Sequence, residues 1–278
     1  MGFESSARVM ELNAKLEAFM AEHIYPREHD WEDWCLDQDN LWTVPLWYDE
    51  IRELAKAEGL WNLFLPHEYK PWSPGLTNVE IAPLFETMSK VTWAQSVFNC
   101  NAPDRGNMEV LAKYGTEEQQ EQWLKPLLAG EIRSAYAMTE PQVASSDATN
   151  MELEIRRDGD EYVLNGRKWW TTGAINPRCK IMLVMGKSNP ENDRHRQHST
   201  ILVPRDTPGV KLVRELRVFD SLHSPGGEAE LLFEDVRVPA GNMIKGEGCG
   251  FEIAQGRLGP GRFQYAMGLV GLAQRCLE

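Results

Sequence analysis

Apolar residues recur at three- and four-residue spacing over roughly the first 130 positions and at two-residue spacing over the next hundred. Val9, Leu12, Leu16, Phe19, Met20 and Ile24 make a helical stripe. Pro45 suits the first turn of a second helix carrying Ile51, Leu54 and Ala55. Ile81, Leu84, Phe85 and Met88 mark a third, and Asn107 to Lys113 a fourth. Thr116-Glu-Glu-Gln119 is a capping box, which predicts a fifth helix burying Trp123, Leu124, Leu127 and Leu128.

From about Ile132 to Pro239 the period is two. Leu153 and Ile155, Tyr162 to Leu164, and Trp169-Trp170 read as strands joined at Asp158-Gly159 and Asn165-Gly166. Both dipeptides favour the positive φ of tight hairpins, so a three-stranded antiparallel meander is expected here. Ile181–Met185, Thr200–Val203, Val210–Val213 and Glu228–Val238 add strands. No βαβ repeat accompanies Gly246-x-Gly248-x-Gly250, which therefore reads as a linker rather than a dinucleotide loop. Beyond it, Phe251 to Leu258 is helical. Gly259-Pro260-Gly261 is expected to break that helix and start another, carrying Phe263, Ala266, Met267, Val270, Ala273 and Leu277. Pro260 would then put Arg262 in a first turn, where a helix end and a guanidinium together suit a phosphate; on sequence alone a solvated surface charge fits equally.

The fold class expected is α+β multidomain: a helical domain over residues 1–131, a central antiparallel β domain over 132–241, and over 242–278 a linker and the start of a carboxy-terminal helical bundle. The last helix carries no stop signal before Glu278, so the pattern is expected to continue into further helices and the chain to be truncated.

Composition narrows the function. A net charge of −13 argues against nucleic acid or an anionic membrane as the main partner. Five scattered cysteines with no CxxC point to reduced thiols. The residues after Met1 include early acids and no apolar signal core, and no run reaches membrane-span length, so a soluble, cytoplasmic protein is expected. His195-Arg196-Gln197-His198 has the look of a metal pair but lacks a third ligand at metal-site spacing, so no metal is assigned and a solvated loop is expected. Hydrolase motifs such as Gly-x-Ser-x-Gly are absent.

Two pieces stand out on the β framework. Thr139 to Asp147 is a loop rich in hydroxyls, and Trp169-Trp170-Thr171-Thr172 sets a broad aromatic face beside hydroxyl donors. Such a pairing suits a flat heteroaromatic ligand, although two core tryptophans beside an ordinary loop give the same pattern.

Ala-Tyr-Ala-Met-Thr-Glu-Pro from Ala135 to Pro141, Ser-Ser-Asp at 145–147, and Asn165-Gly-Arg-Lys-Trp-Trp-Thr-Thr-Gly173 resemble the flavin-binding signature of the acyl-CoA dehydrogenase family. Gln142-Val143-Ala144-Ser145 replaces a shorter Gly-Ala-Gly, and Thr171 replaces the usual Ile. Gly259-Pro260-Gly261-Arg262 resembles the branch acting on longer acyl chains. The resemblance covers essentially the whole chain but not the whole family fold. It implies an FAD-dependent oxidoreductase that desaturates an acyl-CoA thioester at the α,β bond, oligomeric when complete, with an electron-transferring flavoprotein as acceptor. A flavin oxidase or monooxygenase of the same fold, or a non-catalytic flavin-binding fragment, are the alternatives.

By the same resemblance Tyr136, Ala137, Met138, Thr139, Ser145, Ser146, Trp170, Thr171 and Thr172 hold FAD. Met138 and Thr139 fall at the ring edge, Trp170 against the ring and Thr172 near N5. Ser146 and Gly259 to Arg262 face the substrate. No catalytic base carries over: the family glutamate lies either beyond Glu278 or at the position of Gly261, and Glu140 belongs to the loop motif.

Overall fold

The structure, a computed structural model, describes residues 5–278; the first four residues of the expected amino-terminal domain lie outside them. Packing divides the chain into two compact units. One comprises the chain up to Asn40, Val44–Gly106 and Leu258–Glu278; the other comprises Leu41–Thr43 and Asn107–Arg257. This cut by packing differs in kind from the cut by periodicity near residues 131 and 241.

The first unit is helical. α1 (Ala7–Phe19) starts at Ser6, whose hydroxyl accepts from Val9 N, and further helical turns continue it to Arg27. α2 (Glu28–Leu36), α3 (Leu46–Ala57), α4 (Asn78–Met88) and α5 (Ala94–Val97) follow. α4 opens on a capping box in which Thr77 and Glu80 each satisfy the other's backbone N–H. Leu16, Phe19, Ile81, Leu84 and Phe85 are buried, as the stripes require. Trp31 stacks on Trp93 at 4.9 Å.

α6 (Asp104–Tyr114) leads into the second unit, where α7 (Glu117–Gln119) and α8 (Lys125–Ala129) follow. The Thr116–Gln119 capping box forms, and Gly130, in the left-handed region at φ 73°, ends α8. Seven strands then build one sheet: β1 (Arg133–Ala137), β2 (Glu154–Asp158), β3 (Glu161–Thr172), β4 (Cys179–Lys187), β5 (His198–Pro204), β6 (Val210–Leu216) and β7 (Glu228–Pro239). The order is β1-β4-β2-β3-β7-β6, with β5 also on β4. Pairing is mostly antiparallel, while β1 runs parallel to β4. One face buries Ala135, Ala137, Ile155, Tyr162, Leu164, Met182, Val184, Leu231 and Phe233 in a common core.

Two local expectations are corrected. Asp158-Gly159 does close the β2–β3 hairpin, with Gly159 at φ 62°. Asn165-Gly166, expected as a second turn, instead lies inside the continuous strand β3. Its side chains explain why. Asn165 accepts from Asp235 N at 2.8 Å and donates to the Asp235 carboxylate, which ties β3 to β7 across a register shift. Gly166 at φ 148° lets Leu153 pack on the strand, and a Cβ there would sit 2.8 Å from Leu153 Cα. Glycine here serves close approach rather than a turn.

The second correction concerns Gly259-Pro260-Gly261. α9 runs unbroken over Gly250–Leu277 with Pro260 inside it; it belongs to the second unit as far as Arg257 and to the first from Leu258. Arg262 is therefore not in a first turn, and the helix-end argument for an anion there lapses. Among the described residues no helix is long and apolar enough to cross a membrane.

Gly166→Ala combines a steric clash with a backbone conformation that alanine avoids. It is expected to lower stability by about 2 kcal/mol in urea unfolding; an unchanged midpoint would show that Leu153 can move aside.

Candidate functional site

The two pieces singled out in the sequence meet at a bulge in β3. Tyr162, Leu164 and Lys168 point to the core side, as alternation demands, and Lys168 pairs with Leu231 of β7. The next pairing is Thr171 with Ala229, so Trp169 and Trp170 together oppose Glu230. One extra residue shifts the parity of everything after it. Trp170 takes up the distortion at φ 49°, and its side chain stays 40% exposed, a large aromatic surface left open on a structured strand.

β2 pairs with β3 only as far as Asn165, and beyond it the backbone of Trp169 bonds to the loop. Trp169 N donates to Thr139 O at 3.0 Å, and the Thr139 hydroxyl donates to Trp169 O at 2.7 Å. Thr139 and Trp169, 30 residues apart, are thus joined by a reciprocal pair of bonds.

Beneath this pair lies a buried ion pair. The Lys168 ammonium donates to Glu140 Oε1 at 2.7 Å and to Met138 O at 2.8 Å, with both charged side chains almost fully buried. Glu140 also accepts from Leu153 N at 2.9 Å and Glu152 N at 2.7 Å. Burial pulls the Lys168 ammonium down to about 8 against the opposing pull of Glu140. Lys168 lies within the quoted Asn-Gly-Arg-Lys-Trp-Trp motif, yet sequence reasoning assigned it no role. The signal was there: a lysine at an inward position of an alternating strand needs a buried partner.

The rest of the loop folds on itself. The Ser145 hydroxyl accepts from Glu140 N at 3.0 Å and donates back to Glu140 O, while Ser146 stays exposed. Arg194 reaches over from the β4–β5 connection to the Asp147 carboxylate and the Thr149 hydroxyl. These bonds occupy Ser145, Asp147 and Thr149.

Tyr136 is placed differently. Its ring lies under the Arg257 guanidinium at 4.2 Å, and its hydroxyl is buried beside Thr200. Burial raises that phenol above its ordinary value, although Arg257 opposes the shift. Ala137 is buried in the core, and Met138 packs against Met151, Met185 and Ala254. Thr171 is buried and follows the bulge inward. Arg262 is exposed, and side chains built on Gly259 or Gly261 would meet open space. The two histidines of the short pair separate: His198 is buried in β5 with Nε2 donating to Met151 O at 2.8 Å, and His195 rests on the Phe251 ring. Among the described residues no cluster of three metal-ligating side chains forms.

One further group escaped the sequence reading. Thr172 pairs across the strands with Glu228 of β7, and its hydroxyl lies 2.9 Å from each Glu228 carboxylate oxygen. Burial pushes the Glu228 carboxyl above the ordinary carboxylate range, against the lowering effects of the Thr172 hydroxyl and the charge of His223. The register of two strands 56 residues apart creates this contact, and no local pattern announces it. A cavity of about 220 Å³ beside Ala174–Pro177, Lys180 and Arg205 is smaller than the ~300–1,000 Å³ usual for ligand pockets and is not taken as the site.

Two family models match the chain: the acyl-CoA dehydrogenase N-terminal domain over residues 7–131 and the acyl-CoA dehydrogenase middle domain over residues 135–236. Acyl-CoA dehydrogenase family member 11 of Mus musculus is 52% identical over 283 residues, which cover 99% of this chain and 35% of that protein. The chain thus spans about a third of that relative's length. A solved Mycobacterium abscessus structure assigned to the acyl-CoA dehydrogenases superposes with TM-score 0.94 at 49% identity, over 99% of this chain and 69% of that one. A Mycobacterium smegmatis glutaryl-CoA dehydrogenase, solved in complex with FADH2, shares the fold at TM-score 0.75 and 23% identity, over 97% of this chain and 63% of that one.

Lys168→Met would leave the Glu140 carboxylate buried without its cation. Urea unfolding is expected to show a loss of about 3 kcal/mol; a loss below about 0.5 kcal/mol, the range of an ordinary surface substitution, would mean that the pair does not hold the loop.

Proposed function

Because the chain belongs to the acyl-CoA dehydrogenase family, we propose that it is the flavin-binding part of an FAD-dependent oxidoreductase that introduces an α,β double bond into an acyl-CoA thioester. The observation that carries this reading is the reciprocal Thr139–Trp169 pair. It sets the loop and the Trp170–Thr172 segment along one edge, where an open indole face and a hydroxyl adjoin loop backbone. A flat ring with polar edges fits such a surface, because the indole covers the ring while hydroxyl and backbone groups meet its heteroatoms.

Bound FAD would supply an oxidising ring able to take hydride from the acyl β carbon. The chain's own residues supply position. Trp170 packs against the ring, Met138 and Thr139 border its edge, and Thr172 approaches the N5 side. Ala137 and Thr171 shape the adjoining backbone, Ser145 and Tyr136 hold the loop and β1 in place behind it, and Ser146 on the exposed rim faces the substrate. Gly259, Pro260, Gly261 and Arg262 remain the proposed contacts to the CoA portion. The support there is Arg262's exposed guanidinium rather than a helix end. Removal of the α proton requires a carboxylate base, and the resemblance assigns none of this chain's residues to that task. An electron-transferring flavoprotein as acceptor and a homo-oligomeric whole protein complete the proposal.

Purified protein mixed with FAD is expected to show a bound-flavin visible spectrum. Trp170→Ala should weaken that binding by about fivefold, the worth of ~1 kcal/mol of aromatic contact. Anaerobic addition of acyl-CoAs of graded length then reads the substrate class from which one perturbs the band. A wild-type chain that binds no FAD at all would overturn the assignment of Trp170 and the loop.

A further inference from the structure

Glu228 is a half-buried carboxyl that the proposed reaction does not use, and both its oxygens converge on a single hydroxyl. A threonine hydroxyl has one proton to give and two lone pairs to offer, and an ionised carboxylate can only accept. While Glu228 is ionised, Thr172 must therefore point its proton at Glu228 and present only lone pairs to anything on its other side. A protonated Glu228 can itself donate to Thr172, which frees the Thr172 proton to turn outward. The polarity that Thr172 shows to a ligand is thus reversed by one proton on its neighbour.

We propose that Glu228 is a positioning residue that decides, through its protonation state, whether Thr172 accepts or donates a hydrogen bond toward the bound redox ring. This rests on the preceding reading, which sets Thr172 at the N5 side of a flavin. The polarity matters there because oxidised flavin carries a bare acceptor nitrogen at N5 and reduced flavin an N–H donor. Ionised Glu228 makes Thr172 an acceptor and favours the reduced ring; protonated Glu228 makes it a donor and favours the oxidised ring.

The surroundings leave the carboxyl free to titrate. Across β3 it faces Thr172, followed by the uncharged turn Gly173–Pro177. Across β6 it faces Leu216, flanked by Glu215 and Arg217, while Arg214 is committed to Glu230. Arg167 of β3 also serves Glu230, and Lys168 serves Glu140. In the loop ahead of β7, His223 is the charge that acts on Glu228, and Trp42 packs at neighbouring Gly227. No basic side chain forms an ion pair with Glu228 among the described residues. Burial raises its folded value, so the stability it contributes is complete below the unfolded carboxyl value and falls as pH rises through the folded one.

The test measures dissociation constants of the full chain for oxidised FAD, and for dithionite-reduced FAD under anaerobic conditions, between pH 5 and 8.5. Wild type, Glu228→Gln, Thr172→Val and Thr172→Ser are compared. The flavin's own titration is common to all four and cancels. In wild type the ratio of reduced to oxidised affinity should rise with pH by about fivefold more than in Glu228→Gln, the worth of about one hydrogen bond. Glutamine keeps the shape but can donate at every pH, so that variant should hold the acid-side ratio throughout. Thr172→Ser should keep the pH response and Thr172→Val should lose it. Flavin binding with the same pH response in wild type and Glu228→Gln would overturn the role of Glu228 and leave the flavin reading standing. No flavin binding by wild type would overturn that reading and this inference with it. A change confined to the unfolding midpoint of Glu228→Gln, with the affinity ratios unmoved, would make Glu228 a structural residue only.

Discussion

One extra residue in β3 decides how the second unit presents itself. Without the bulge at Trp169-Trp170, the strand would keep Lys168's parity to its end and Thr171 would face outward. With it, Trp170 is turned out at a positive φ, Thr171 enters the core and Thr172 comes level with Glu228. A bulge costs ladder bonds and persists only where other contacts replace them. Beside it, a loop 30 residues away in the chain bonds to the N–H and C=O of Trp169.

That loop is held by charge. Lys168 and Glu140 are each costly to bury alone. Together they are tolerable because Glu140 also receives two backbone N–H groups, while Lys168 also gives one bond to a carbonyl. Paired hydrophobic side chains of like volume could fill the same space, but they could not accept the N–H groups of Glu152 and Leu153 or bind Met138 O. The pair therefore specifies one loop conformation as well as filling the core. Thr139, Ser145 and Asp147 add their own local bonds to the same end.

The same division between position and reactivity runs through the proposed function. Trp170 is exposed because the backbone forces it out, and the Thr172 hydroxyl is held against the Glu228 carboxyl that stands opposite. Neither side chain is chemically reactive by itself. What they would offer a ring under that proposal is a surface and a polarity, both set by strand register rather than by the residues' intrinsic properties.

Much of this was legible in the amino-acid pattern. The helical stripes, the Thr116 cap, the change to a two-residue period and the Gly159 hairpin are local, and local spacing reports them faithfully. The signature residues of the loop and of β3 likewise placed the chain in its family. Local rules failed where a distant segment supplied the reason. Asn165-Gly166 has the composition of a turn, but Leu153 needs the space above Gly166 and Asp235 needs the Asn165 amide. Gly259-Pro260-Gly261 has the composition of a break, yet α9 runs through it, with Gly271 admitting the Glu86 carbonyl further along. Lys168 could be recognised as buried from alternation, but not as the partner of Glu140. The contact of Thr172 with Glu228 could not be read at all. Spacing along a chain determines which way each side chain points within its own element, whereas the identity of its partner depends on strand register, and only the folded sheet decides that.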